Sequence, residues 1–321
     1  MRFAPNVRCP PGRLENAIFS APERNRYEAT LMTYSLIARD PANGEIGAAV
    51  QSKFPGAGSI ALHGAAGVGC LTTQAFANPR HGDQGLALLR RGLGAAAVLS
   101  ALLQDDPAAG ERQVAVLAPD GPPAAHTGAE VRGWDGFAGA EMRDDAVASG
   151  NTLAGAAVLT AMLDAFEASR GELAERLIAA LAAGRDAGGE LRGQQSAAIL
   201  VVKPGGGYGG YSGRHVDISV YDHPEPIAEL ARCYRLHRLS YFPSAPDQLL
   251  PIDGDTARAL KTIMRRAGFR ELPDTPDWGE TEIALLKRFM GVENYDNRLR
   301  DDARIDAEVL ADLRLRYPPL P

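Results

Sequence analysis

The pattern of apolar positions along the chain changes abruptly at Thr33. Residues 33–39 and 45–52 are rich in apolar and strand-favouring residue types, and they flank the step Asn43-Gly44, a strong hairpin signal. Residues 64–74 form a further apolar run punctuated by glycine. We therefore expect three consecutive strands here, of which the first two form a tight hairpin.

Helical and strand patterns then alternate in blocks. Apolar residues at spacings of three and four predict helices at 83–91, 95–104, 154–168, 172–183 and 226–239. Further strands are predicted at 112–118, 122–127, 195–203 and 215–221. Hairpin connections require antiparallel pairing, which excludes a doubly wound parallel sheet. The order predicts an α+β fold, a four-layer αββα sandwich of two antiparallel sheets with helices on both outer faces.

The composition shifts after the last of these helices. Residues 241–254 are punctuated by proline and are interpreted as a linker between a domain at 33–240 and a second one at 255–321. Asp255 and Asp306 are predicted helix N-caps. The second domain is predicted to be small and built of three helices, at 255–267, 279–290 and 306–316.

Composition and charge exclude several classes of partner. The chain has 321 residues and a formal net charge of −6, which suggests about two domains and gives no basic footprint for nucleic acid. No apolar run approaches the roughly 18 residues of a membrane span, so no membrane partner is expected. Cys9, Cys70 and Cys233 lie far apart, which fits a reducing cytoplasm and argues against disulfides and zinc. No histidine spacing indicates a metal site.

Residues 205–210 (GGGYGG) formally match a dinucleotide-binding glycine motif, but a strand pattern rather than a helix follows, so we interpret them as a hairpin loop and expect no cofactor. Residues 1–32 are treated as a leader, since 1–31 lack the apolar region of a secretory signal. The leader is either an over-extended gene start, with Met32 as initiator, or a propeptide. Both alternatives give Thr33 an unusual position.

Seven spaced motifs in the first domain resemble an uncharacterised bacterial and archaeal family grouped with the N-terminal-nucleophile (Ntn) hydrolases. They are 32–41 (MTYSLIARDP), 51–54 (QSKF), 73–79 (TQAFANP), 125–128 (AHTG), 150–153 (GNTL), 193–198 (GQQSAA) and 222–224 (DHP). The resemblance implies an αββα sandwich and a chain start near Met32. The C-terminal domain looks like a peptidoglycan-binding-like domain, on the residues 277–281 (DWGET) and 289–294 (FMGVEN).

Thr33 would carry nucleophile and base in one residue if it became the first residue of a mature chain. A threonine hydroxyl is a weak nucleophile that needs a nearby base. A free α-amine titrates at roughly 7.7–8.0 and can take the hydroxyl proton. Thr33 is otherwise an ordinary strand residue, since threonine favours strands. On this hypothesis we expect the substrate to be a small molecule with an amide or peptide-like bond.

Other polar residues of these motifs are candidates for the same site. Ser52, Lys53 and Asn151 are predicted to act in catalysis, the first two because a tight hairpin brings them beside Thr33. The predicted substrate-binding residues are Gln74, Asn78, His126, Thr127, Gln195 and Ser196. Loop Asn and Ser residues more commonly cap helices and turns. Glu190 and Arg192 belong to a polar loop whose alternatives are solvation and substrate recognition.

Three hypotheses follow. The chain is an Ntn amidohydrolase acting through Thr33, a non-catalytic scaffold whose helical tail engages a partner or cell-wall material, or a hydrolase with another nucleophile, such as Ser52 with His126. Without a visible export signal, we interpret the tail as an oligomerisation or lid element, and we expect a cytoplasmic homo-oligomer.

Overall fold

The first hairpin forms where the Asn43-Gly44 step predicts it. Strands β1 (Thr33–Asp40) and β2 (Glu45–Ser52) pair antiparallel over their whole length. The amides of Asn43 and Gly44 both donate to the carbonyl of Asp40, and Gly44 takes a φ of 75° that favours glycine. The strands, the turn and the pairing are therefore all as predicted.

This computed structural model describes residues 32–318. The predicted leader lies outside the described residues except for Met32. After the first hairpin the elements are α1 (Gly58–Ala61), β3 (Leu62–Ala65), β4 (Gly69–Ala75), α2 (Arg80–Arg90), α3 (Ala95–Gln104), β5 (Arg112–Leu117), β6 (Ala124–Thr127), β7 (Phe137–Arg143), β8 (Ala146–Leu153), α4 (Ala157–Ala168), α5 (Leu173–Asp186), β9 (Ser196–Val202), β10 (Arg214–Val220), α6 (Pro226–Tyr241), β11 (Leu249–Pro251), α7 (Gly254–Arg266), α8 (Glu280–Val292), β12 (Arg304–Asp306) and α9 (Ala307–Arg316).

The strands up to residue 220 form two antiparallel sheets. One has six strands in the order β10-β9-β2-β1-β8-β7, and the other has four in the order β3-β4-β5-β6. The single strand predicted at 64–74 is wrong, because the chain turns back at Gly67, whose φ is 69°, and makes the β3–β4 hairpin. The hairpin β7–β8 was not predicted. Its second strand, AVASGNTL, has a central run of Ala, Ser, Gly and Asn with little strand preference.

Helices cover the outer face of each sheet. Helices α4 and α5 pack on the six-stranded sheet, where Leu36 and Leu177 share a core. Helices α2 and α3 pack on the four-stranded sheet around Leu71. The inner faces meet in a third core that contains Ile37 and Leu117. The antiparallel sheets of the prediction are confirmed, and each layer is stabilised mainly by burial of apolar side chains.

The C-terminal region is helical, as predicted, and has its own core around Leu260, Phe289 and Leu310. Asp306 accepts hydrogen bonds from two backbone amides and caps α9 as predicted. The predicted cap at Asp255 is wrong: Asp253 occupies that position, and Asp255 lies in the first turn of α7, where a negative charge is favourable.

One feature of the C-terminal region differs from the predicted linker and three helices. Residues 249–251, within the predicted linker, form β11 and pair with β12. Within residues 32–318, no helix is both long and apolar enough to cross a bilayer.

Candidate active site

The site begins at the end of β1, between the two sheets. Side chains alternate along a strand, and Ile37 belongs to the core between the sheets while Leu36 belongs to the core under the helices. Thr33 and Ser35 therefore face the space between the sheets. Thr33 is completely buried.

The hydroxyl of Ser52 joins the Thr33 side chain to the preceding peptide bond. Thr33 Oγ1 donates to Ser52 Oγ over 3.0 Å, and Ser52 Oγ donates to the carbonyl oxygen of Met32 over 2.7 Å. The backbone amide of Phe54 also donates to Ser52 Oγ, at 3.2 Å. Ser52 is thus held in a fixed orientation beside Thr33, as the sequence predicted from the short hairpin.

A buried carboxylate lies next to this pair. Glu190 accepts hydrogen bonds from the Lys53 amide at 2.8 Å and from Arg192 Nε at 2.6 Å. Burial raises the pKa of Glu190 above its usual value, although both donors act in the opposite direction. Arg192 Nη2 lies 3.5 Å from the Met32 carbonyl oxygen. The Lys53 ammonium turns away and donates to the carbonyl of Gln194 at 3.3 Å.

Sequence reasoning assigned Glu190 and Arg192 to a polar loop, with solvation and substrate recognition as the alternatives. In the structure Glu190 is almost fully buried, and the ion pair directs Arg192 toward the Thr33 end of β1. Only the three-dimensional return of this loop to β2 produces the contact, and no local signal in the sequence indicates it.

A cluster of buried amides fills the space between the sheets, with Gln113 at its centre. Gln113 Oε1 accepts from Gln74 Nε2 at 2.8 Å and from Asn151 Nδ2 at 2.9 Å. Gln113 Nε2 donates to Thr127 Oγ1 at 2.9 Å and to the backbone carbonyl of Gly150 at 2.8 Å. The structure therefore brings together three of the predicted residues through one that was not predicted. A polar residue at an inward position of a buried strand was the available signal.

Asn151 lies close to Thr33 in the sheet. Tyr34 pairs with Gly150 across β1 and β8, so the next residue of β8 continues the register beside Thr33. Two polar atoms of the amide cluster have no partner among the described residues, Gln74 Oε1 and Asn151 Oδ1. A buried polar atom without a hydrogen bond costs about 1–3 kcal/mol, and such atoms are typical of places where a water or ligand belongs.

Ser196 and Gln195 lie next to Ser52 but are used by the fold. Ser196 is buried and donates to the carbonyl of Phe54 at 2.6 Å. The Gln195 amide donates to the backbone of Ser52, while its side chain donates to Asp222 at 3.1 Å. The Ser196 hydroxyl and the Gln195 side-chain amide therefore already have hydrogen-bond partners, and these contacts fix the neighbouring loops.

His126 and Asn78 are not brought to the site. His126 lies on the helix-facing side of β6, and its Nε2 is 2.9 Å from the carbonyl oxygen of Ala109. The Asn78 side chain reaches Asp106 at 3.4 Å, on the outer face of the four-stranded sheet. The proposed pairing of Ser52 with His126 therefore has no support in the geometry.

Asn78 belongs to a second polar cluster, beside a cavity of about 560 Å³ between α2 and α3. Asp106 Oδ2 lies 3.1 Å from His81 Nε2 and 2.8 Å from Arg112 Nε. Burial opposes ionisation of Asp106, but donors led by Arg112 and the Ala108 amide lower its pKa to about 2. Burial, with Arg112, lowers the pKa of His81. Across residues 32–318, no three His, Cys, Asp or Glu side chains converge as a metal site would need.

Comparison with known proteins adds family relationships to this geometry. Residues 241–313 match the family described as "Putative peptidoglycan binding domain". The crystal structure of protein SPO2555 from Silicibacter pomeroyi, a member of DUF1028, is similar with a TM-score of 0.58 and 31% sequence identity, over 64% of this chain and 89% of that one. No curated protein matches the chain. Residues 33–230 match the model of a family of unknown function, DUF1028, and the chain belongs to that family.

Proposed function

We propose that this protein is an N-terminal-nucleophile hydrolase that cleaves an amide or peptide-like bond of a small molecule through Thr33. The observation that carries the proposal is the hydrogen-bonded series from Thr33 Oγ1 through Ser52 Oγ to the Met32 carbonyl. It is supported by two antiparallel sheets with helices outside them, the arrangement expected of an Ntn sandwich.

In the proposed reaction, removal of all residues up to Met32 frees the amine of Thr33. The amine accepts the hydroxyl proton, directly or through a water, and Oγ1 attacks the substrate carbonyl. The C–N bond then breaks, and the leaving amine takes the proton. Water hydrolyses the resulting ester, which releases the acid and restores the Thr33 hydroxyl.

The surrounding residues have distinct proposed roles. Ser52 orients Thr33. The Asn151 amide nitrogen carries two N–H groups and spends one on Gln113, which leaves the second for an oxyanion. Lys53 contributes its backbone, since its amide fixes the carboxylate of Glu190. Arg192, held by that carboxylate, supplies positive charge near the scissile bond.

Among the predicted substrate-binding residues, we propose Gln74 and Thr127 as direct contacts. Gln74 Oε1 is buried without a partner and can accept a substrate N–H, and Thr127 lies on the same amide cluster. Within the described residues 32–318, Cys70 and Cys233 are free thiols, which supports the proposal of a reducing, cytoplasmic location.

Intact-mass analysis and covalent labelling test the proposal. We expect natively expressed protein to begin at Thr33 and to gain one β-lactone adduct. Thr33→Ala should abolish labelling, Thr33→Ser should retain it, and the control Ser35→Ala, which alters a buried hydroxyl two residues along the same strand, should label normally. Labelling that persists in Thr33→Ala, or turnover by protein that retains Met32, would overturn the proposal.

A second function is favoured by one observation, the match of residues 241–313 to a peptidoglycan-binding family description. We propose that this region binds a peptidoglycan fragment, whether or not Thr33 is catalytic. Sedimentation of the protein with purified peptidoglycan tests it. Loss of co-sedimentation on deletion of residues 242–321 supports the proposal, and equal co-sedimentation of both forms contradicts it.

A further inference from the structure

A cleft of about 950 Å³ lies where the main domain meets the C-terminal region. One wall is the glycine-rich loop at residues 205–210 between β9 and β10, which matches a dinucleotide-binding motif in its glycine spacing only. The other walls are β10, the end of α6 and a turn of the C-terminal region. The residues that matter here are Tyr208, His215, His237, Tyr241, Phe242 and Asp296. A volume of this size suits a small organic ligand.

Aromatic rings form a row along the cleft. The rings of His237 and Tyr241 stack with centroids 4.4 Å apart, and those of His215 and Phe242 stack at 4.7 Å. Tyr208 meets Tyr241 edge-on at 5.9 Å, and 78% of Tyr208 is exposed. Large exposed aromatic side chains grouped in one concave site are typical of ligand contact rather than of a folded core.

Hydrogen-bonding groups border these rings. Asn294 and Asp296 are exposed at the rim. Asn294 has a φ of 64° and ends α8 in the left-handed conformation that asparagine tolerates. Asn297 is anchored there, because its Nδ2 donates to the carbonyl of Ser240 at 2.6 Å. The site thus combines flat apolar faces with carboxylate and amide groups at the edge.

The charges argue against an anionic ligand. Arg214, the guanidinium of the cleft, is already paired with Asp217 on the same strand. Asp296 adds a negative charge, and burial lowers the pKa of His237, which keeps its ring neutral near pH 7. A phosphate or nucleotide would therefore meet net repulsion rather than the cations that it requires.

The arrangement of the rings also argues against a cage for a cationic ligand. Quaternary ammonium groups are held among several aromatic faces that surround one point. Here the rings of His237 and Tyr241 cover one another, and so do those of His215 and Phe242. The ring of Tyr208 is in an edge-type rather than a stacked contact and is largely exposed, so it offers the open flat face of the cleft beside the polar border.

We propose that this cleft binds an oligosaccharide. A pyranose ring has an apolar C–H face that packs on an aromatic ring and hydroxyl groups around its edge that bond to carboxylates and amides, which is the combination present here. The inference deepens the second proposed function by naming the glycan as the recognised part and this cleft as its site. It does not depend on chemistry at Thr33.

Two tyrosines of the glycine-rich loop provide a matched pair for the test. Tyr208 lines the cleft, whereas Tyr211 is 94% exposed, contributes nothing to the lining and lies three residues away. Titration calorimetry of the full chain with the β-1,4-linked tetramer of N-acetylglucosamine, and with cellotetraose, measures binding. We expect binding in the micromolar to millimolar range, a loss of about tenfold in Tyr208→Ala, equivalent to about 1.4 kcal/mol, and no change in Tyr211→Ala.

Several outcomes would overturn the inference. If neither tetramer binds at about 10 mM, a limit that corresponds to about −2.7 kcal/mol, the ligand is not a glycan. An equal loss of affinity in both tyrosine variants would show that the glycan does not bind in the cleft. Binding of a peptidoglycan stem peptide in place of the sugars would assign the cleft to peptide. Co-sedimentation with peptidoglycan that is unaffected by Tyr208→Ala would leave the C-terminal proposal standing and reject this site.

Discussion

Thr33 and Ser52 lie opposite each other at the open end of the first hairpin, and their hydroxyl oxygens are 3.0 Å apart. The contact follows from hairpin geometry, since Thr33 and Ser52 form the eighth and last of the antiparallel pairs counted from the turn. A change in either side chain therefore tests the site with little effect on the sheet.

We predict that Ser52→Ala slows β-lactone labelling of Thr33 by about 100-fold, because a misdirected nucleophile loses much of its reactivity. Stability should fall by about 1 kcal/mol from the lost hydrogen bonds. Ser35→Ala serves as the control, because Ser35 also pairs with a buried hydroxyl, that of Ser149 at 3.2 Å. Equal labelling rates in the two variants would remove Ser52 from the site.

Gln113 should contribute strongly to stability. Replacing it by leucine removes the hydrogen bonds that Gln113 makes to the amides of Gln74 and Asn151 and to the carbonyl of Gly150, and Gln74 keeps only a 3.4 Å contact with Ser149. We expect Gln113→Leu to lower the free energy of unfolding by about 3 kcal/mol, measured by urea denaturation. Gln51→Leu, at a buried glutamine with one 3.4 Å hydrogen bond, should cost less than about 1 kcal/mol. Similar losses in both would contradict the central role of Gln113.

Asp106 should produce a loss of stability in acid. Its folded-state pKa is lowered to about 2, below the unfolded value, so its contribution is present above about pH 4 and disappears as pH falls toward 2. The contribution is about 2 kcal/mol. In Asp106→Asn this loss should be absent. The difference in unfolding free energy between wild type and variant should therefore shrink as the pH falls from about 4 to 2. Urea midpoints measured at each pH give the curve.

His81 contributes an earlier part of the same acid response. Its pKa is lowered by burial, so stability is lost as pH falls below about 6.5. His81→Gln should remove this part and keep the later one that belongs to Asp106. A single transition, unchanged by either substitution, would show that other groups control acid unfolding.

Lys261 and Glu282 in the C-terminal region form a buried ion pair. The Lys261 side chain is fully buried, and its ammonium is 3.1 Å from Glu282 Oε1. Glu282→Gln should cost about 3–5 kcal/mol, because it leaves a buried charge unpaired, whereas Lys261→Met with Glu282→Gln should be nearly neutral. Urea denaturation of the four combinations measures the coupling. Additive effects would contradict it.

The sequence predicted the parts of the fold that depend on local signals. The β1–β2 hairpin follows from Asn43-Gly44, and α3 begins and ends at its predicted residues, because its apolar spacing is regular. From the hairpin alone, Ser52 could be placed beside Thr33. These features need only the chain geometry of adjacent residues.

The predictions that failed concern features that depend on contacts between distant segments of the chain. The hairpin β7–β8 was missed because Ala, Gly, Ser and Asn carry weak strand preference, and burial between β1 and β7 determines the structure of β8. Gln113 and Glu190 gain their roles only when other strands or loops reach them. The same limit applied to His126, whose orientation depends on which face of β6 is covered.

The pairing of β11 with β12 brings the segment that enters α7 beside the segment that lies between α8 and α9. The chain from residue 249 to residue 306 is consequently a loop with adjacent ends that contains α7 and α8, and α9 continues directly from its closing strand to complete the core around Leu310. A C-terminal fragment that begins at residue 255 would lack β11 and leave β12 without its pairing strand, whereas a fragment that begins before Leu249 would keep the pair.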